Sequence, residues 1–125
     1  EEIMDFMKSN AYDEEIISND FNIENWDVSS IKDMTRMFAN MYSFNKNISK
    51  WNVSSVNDMT KMFLSAYSFN QDIEEWDISS VTNMKDMFKD TQFSYQYIID
   101  WEHQIKNKQK VKVIKIKKFE KVGNY

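Results

Sequence analysis

Apolar side chains return along this chain at a constant step of 25 residues. Trp26, Trp51, Trp76 and Trp101 share one register, and Ile23, Ile48, Ile73 and Ile98 share another. Val28, Val53 and Ile78 follow, then Met34, Met59 and Met84, Met37, Met62 and Met87, and Phe38, Phe63 and Phe88. Self-similarity at a fixed period of about 20 to 50 residues marks a stacked-repeat architecture, because one unit cannot bury its own apolar face without neighbours. Each unit changes period half-way. Its first half reads Ile-x-x-Trp-x-Val, which predicts a bend and then a short strand with Trp and Val on one face. In its second half Met34, Met37, Phe38 and Met41 fall at i, i+3, i+4 and i+7, the stripe of a short helix. Met59, Met62, Phe63 and Ala66 repeat the stripe, as do Met84, Met87, Phe88 and Thr91.

A start signal precedes each predicted helix. Ser30 stands three residues before Asp33, Ser55 before Asp58 and Ser80 before Asn83, the spacing at which a serine hydroxyl and an acidic or amide group cap a helix reciprocally. Asp33 and Asp58 would also gain about 0.3 to 1 kcal/mol at the positive ends of their helices. A polar turn then leads to Phe44-Asn45 or Phe69-Asn70.

Residues 1–20 read as an N-terminal helical cap, a degenerate repeat in which Met4, Phe6, Met7, Asn10, Ala11 and Tyr12 echo the later units. Residues 21–102 form the repeat solenoid, and residues 103–125 a Lys-rich C-terminal cap strand or linker. In the last part Trp101 keeps its register, but His103, Lys106 and Gln109 take the next apolar places, and the run Val111–Phe119 is β-prone and studded with Lys. The predicted fold class is α/β: a right-handed solenoid of about four 25-residue rungs, with parallel short strands on one face and short helices on the other. Starting at Glu1 inside a degenerate unit, the chain is expected to be a piece of a longer protein.

Composition narrows this picture. With one Gly and no Pro, tight hairpins that draw on Gly for positive φ are disfavoured, and turns must use Asn, Asp and Ser. No Cys is present, which removes disulfides and Cys-type zinc sites. No stretch approaches the roughly 18 apolar residues of a membrane span, so direct membrane insertion is not expected. The net charge of −4 conceals an asymmetry: residues 1–101 carry 8 basic and 18 acidic side chains, whereas residues 102–125 carry 8 Lys against Glu102 and Glu120. An acidic body opposes nucleic acid and anionic lipid, so the Lys-rich segment reads as an edge cap that blocks further pairing.

The unit Ile-x-x-Trp-Asp-Val-Ser-Ser-Val-x-x-Met-x-x-Met-Phe, followed by Phe-Asn, resembles the roughly 25-residue repeat of BspA-like leucine-rich repeat proteins, the DUF285 repeat family. These are bacterial surface proteins, abundant among mycoplasma lipoproteins. The likeness covers Ile23 to Trp101. It implies a leucine-rich-repeat-like solenoid, non-catalytic and displayed outside the cell on its surface, with adhesion or protein binding as its role. Ile31, Val56 and Val81 replace the Asn that follows the strand in ordinary leucine-rich repeats, so a buried asparagine ladder is not carried over. Nor is a lipid anchor, since the family's lipidated cysteine has no counterpart here.

Candidate chemistry follows from which side chains face out. An exposed Trp column would be a platform for sugars or bases; placed on the same side as Val, it reads as the spine of the core. The Met stripes, an adaptable surface in other settings, read as core for the same reason. Between the inward positions lie two outward columns, and from them Asn25, Lys50 and Glu75 together with Asp27, Asn52 and Asp77 are the expected partner-binding residues. Alternation of Asp, Asn and Asp in the second column also spaces like charges about 10 Å apart. A calcium site on Asp27, Asn52 and Asp77 lacks a loop to supply the six to eight oxygens required, so no metal or cofactor is expected. Catalysis is not expected either. His103 is the only histidine, Gly123 the only glycine, and adjacent carboxylates such as Glu74 and Glu75 have no cleft to perturb them. The expected function is therefore a surface-displayed interaction module for a protein or a glycan. A structural subunit that contacts other chains through its solenoid ends is the alternative.

Overall fold

The computed structural model describes residues 2–9, 22–73 and 75–92. The expected C-terminal strand, with Ile98, Trp101 and His103, lies outside these residues, as do Glu1 and residues 10–20 of the expected N-terminal cap. Glu2–Ser9 forms helix α1, from which Met4 and Met7 enter the core while Asp5, Lys8 and Ser9 face solvent. A single 3-10 turn, Ile23–Asn25, opens the first unit.

From there the backbone is built of β-turns that join one buried apolar residue to the next. The N–H of Ile31 donates to the carbonyl of Val28 (3.0 Å), Met37 to Met34 (3.1 Å), Met41 to Phe38 (3.2 Å), Phe44 to Met41 (3.2 Å) and Trp51 to Ile48 (3.1 Å). Units two and three repeat the pattern, with Met62 donating to Met59, Ala66 to Phe63, Trp76 to Ile73, Val81 to Ile78 and Met87 to Met84. The bond spans three residues throughout, where an α-helix would span four. Each turn thus brings two apolar side chains to the same side and satisfies the buried amide of the second with the carbonyl of the first.

The helix expected over Met34–Met41, and its two repeats, are therefore replaced by turns, and the physical reason lies in the backbone angles. Arg36 (φ 61°), Asn40 (φ 63°), Lys61 (φ 56°), Ser65 (φ 59°), Asp86 (φ 57°) and Asp90 (φ 63°) are left-handed, two per unit and four residues apart. A right-handed helix cannot pass through such residues. What the left-handed positions permit is pairing between units. The amides of Met34, Arg36, Phe38 and Asn40 donate to the carbonyls of Asp58, Thr60, Met62 and Leu64 at 2.7–2.9 Å. Met59, Lys61, Phe63 and Ser65 donate in the same way to Asn83, Lys85, Met87 and Lys89 at 2.8–3.0 Å. Alternate amides thus bond across units while those between them bond within a turn, which is how these buried amides find acceptors without a helix.

Among the described residues no strand forms at Trp-x-Val. Parallel pairing is confined to isolated bridges further along, Asp33 with Asp58 and Asp58 with Asn83. The carbonyls of Val28, Val53 and Ile78 are engaged by Ile31, Val56 and Val81 three residues on, which turns the chain away before a ladder can grow. The serine and acidic pairs are recast too. With no helix to cap, Asp33, Asp58 and Asn83 each accept through Oδ1 from the amide two residues later, on Thr35 (2.9 Å), Thr60 (2.9 Å) and Lys85 (3.0 Å).

The core holds no buried polar or charged side chain among the described residues. Phe38, Phe63 and Phe88 stack at centroid separations of 5.7 Å, Phe44 lies on Phe69 at 5.8 Å, and within a unit Phe38 faces Phe44 at 4.1 Å. Trp51 and Trp76 are buried beside them, and Trp26 is half-buried with Phe6 of α1 meeting it edge-on at 5.9 Å. The indole Nε1 of Trp51 donates to Ile23 O (2.9 Å) and that of Trp76 to Ile48 O (3.1 Å). Each indole therefore anchors its unit to the turn that opens the preceding one. All nine methionines belong to this interior. Burial of each such Phe or Met contributes about 1.5–3 kcal/mol.

Candidate functional site

Side chains between the inward positions are directed to solvent by the turns that bury their neighbours. Asn25, Asp27, Lys50, Asn52, Glu75 and Asp77 are all exposed. Their surroundings divide them into two groups. Lys50 and Glu75, one repeat step apart, line a depression of about 510 Å³ with Ser49, Asp72 and the buried Trp51. An ammonium and two carboxylates thus share one depression of mixed charge. The other four residues do not line it.

Asp27, Asn52 and Asp77 are instead engaged locally. Asp27 Oδ1 accepts from the amide (3.0 Å) and hydroxyl (2.6 Å) of Ser29, and Asn52 Oδ1 accepts from the same groups of Ser54 at 3.0 and 2.6 Å. Asp77 Oδ1 accepts the amide of Ser79 at 2.9 Å. The Ser29 hydroxyl, followed by its amide, holds the Asp27 carboxyl below the usual carboxylate range; partial desolvation opposes them weakly. These oxygens brace the turn after Trp-x-Val, which is why Asp and Asn interchange at this position. Among the described residues no group of three or more His, Cys, Asp or Glu is placed to hold a metal ion.

One surface feature escaped the reading of the sequence. Tyr42 and Tyr67 are 53% and 51% exposed and stack on each other, with ring centroids 5.2 Å apart and planes 15° apart. Beside them Asn45 Oδ1 accepts from the Asn70 amide and from Gln71 Nε2, both at 2.9 Å. The signal was present as two tyrosines one repeat step apart, set between the inward Met41 and Phe44 and between Ala66 and Phe69. It was muted because the column carries Gln92 in the third unit.

Comparison with known proteins supplies the lineage. The family model described as "Mycoplasma protein of unknown function, DUF285" matches residues 5–124. The chain belongs to the DUF285 family. Neither among curated proteins nor among solved structures does anything match this DUF285 chain significantly. No helix among its described residues is long and apolar enough to cross a membrane.

Proposed function

We propose that this DUF285 chain is a non-catalytic interaction module of the BspA-like leucine-rich-repeat kind. In this reading its units continue as a right-handed solenoid displayed on a cell surface, where it binds a protein or a glycan. The observation that carries the reading is the depression between consecutive units, which Lys50 and Glu75 line together with Trp51. The depression lies between two consecutive units, and stacked-repeat proteins commonly bind through surfaces that span several units. Opposite charges one step apart favour orientation and selection of a partner more than raw affinity.

The test exchanges the two charges. Lys50→Glu with Glu75→Lys preserves net charge and leaves the Asx-braced turns intact, so the melting temperature should stay within a few degrees of the parent. Binding to intact cells or to purified surface extracts should fall, by roughly tenfold or more if the pair contacts the partner directly. Asp77→Asn serves as the internal control, because Asn52 already performs the same bracing in the second unit. Undiminished binding by the charge-exchanged protein rejects this face.

A further inference from the structure

We propose that the Tyr42–Tyr67 ledge is a second binding site, one that takes a neutral glycan chain. It is separate from the Lys50–Glu75 depression, none of whose lining residues belongs to it. Among the described residues these are the large hydrophobic side chains left exposed, in a molecule that otherwise buries its Phe and Trp rings wholly or in part. Solubility does not call for them, since Gln92 occupies the same column one unit later. Exposed aromatic surface that a fold does not require marks contact with something else.

The ledge is also held in place. Ser68 N–H donates to Tyr42 O at 3.1 Å and Gln92 Nε2 to Tyr67 O at 2.7 Å, so the main chain bearing both rings is tied unit to unit. Each ring has one face against its twin, and about half of each side chain stays open to solvent. Tyrosine offers large contact area at low conformational cost, and a prearranged pair lowers that cost further.

Chemistry decides the partner. The same turns carry four carboxamides, Asn45, Asn70, Gln71 and Gln92; Asn45 Oδ1 accepts from the Asn70 main-chain N–H and from Gln71 Nε2, both at 2.9 Å. A sugar ring carries C–H groups on its faces and hydroxyls around its rim; aromatic faces receive the first and planar amides the second. All six side chains of the ledge are uncharged, matching an uncharged polymer. Nucleobases also stack on tyrosine, but a phosphate backbone needs cationic partners and the chain's net charge is −4.

Electrophoresis of the full chain through native gels containing soluble β-glucan, xylan or galactomannan tests the proposal. Retardation by at least one of the three is expected, with the apparent affinity falling roughly tenfold or more in Tyr42→Ala with Tyr67→Ala. Tyr42→Phe with Tyr67→Phe keeps both rings and should stay within a few-fold of the parent. Should the alanine pair fail to fold, Tyr67→Gln copies the third unit's own residue and should show the loss alone. The Lys50→Glu with Glu75→Lys protein should be retarded as the parent is, so failure here and failure of the charged cleft are distinguishable. Absence of retardation in all three gels, equal retardation of the alanine pair, or tyrosine-dependent binding of poly(U) or a proline-rich peptide in place of polysaccharide would each overturn it.

Discussion

Glycine should stabilise this chain at positions where it would weaken a helix. Arg36 and Asp86 hold φ of 61° and 57°, and each carries a Cβ that crowds the following carbonyl. For an ordinary L-residue the left-handed conformation costs about 1–2 kcal/mol, and glycine escapes this cost. Against the gain stands the freedom glycine adds to the unfolded chain, about 0.5–1 kcal/mol relative to alanine. Arg36→Gly and Asp86→Gly should therefore each raise stability by about 0.5–1 kcal/mol. The two sites are separated by the whole of the second unit, so their effects should nearly add. For a domain of this size the pair should lift the melting temperature by roughly 3–8 °C. The matching controls are Thr35→Gly and Lys85→Gly, next to the same turns but not among the residues of positive φ, and these should lose about 0.5–1 kcal/mol. Urea unfolding followed through the fluorescence of buried Trp51 and Trp76 reads the difference directly. If the stripe were helical after all, glycine would cost about 1 kcal/mol at all four sites. Equal losses at 36, 86 and the controls would refute the turn architecture.

Three further outcomes follow from contacts already described. Trp76→Phe removes the Nε1 donor from Ile48 O and should cost about 1–3 kcal/mol by urea titration; the Trp51 amide still satisfies that carbonyl, so the loss should fall short of a fully orphaned acceptor. Because the Asp27 pKa is lowered on folding, the Ser29 bonds support the fold above the ordinary carboxylate pKa and are lost as pH falls through the lower, folded value. Ser29→Ala should move the Asp27 carboxyl back up toward the ordinary carboxylate range, measured by NMR titration, and an unmoved value would refute the assignment. Dilute peroxide should oxidise the nine buried methionines slowly in the folded state and much faster in urea, followed by mass spectrometry; rapid oxidation without denaturant would contradict their burial.

Which side chains are inside was legible in the sequence, and how the backbone puts them there was not. Met34, Met37, Phe38 and Met41 are all buried, as their spacing required, and Trp51 and Trp76 lie in the interior rather than on a platform. But i, i+3, i+4 and i+7 is a spacing that consecutive β-turns satisfy as well as a helix does. The distinction rests on left-handed residues, and those here are Arg, Lys, Ser, Asp and Asn rather than Gly. Only Asn and Asp carry any compositional hint of that conformation, and Arg36 and Lys61 carry none. At the surface, the outward columns could be read from alternation alone. That Asp27, Asn52 and Asp77 are tied to the serine two residues on, leaving Lys50 and Glu75 to shape a cleft, depends on geometry no pattern encodes.

Bonds between units keep a fixed offset: eight main-chain amides reach an acceptor 24 residues ahead, as from Phe38 to Met62 and from Phe63 to Met87, and the indoles of Trp51 and Trp76 reach one 28 residues back. Gain or loss of one complete 25-residue block would leave every such partnership intact, merely renumbered, while any other insertion inside a block would throw all later partners out of step. Length is thus a quantity this lineage can vary in whole blocks at small structural risk.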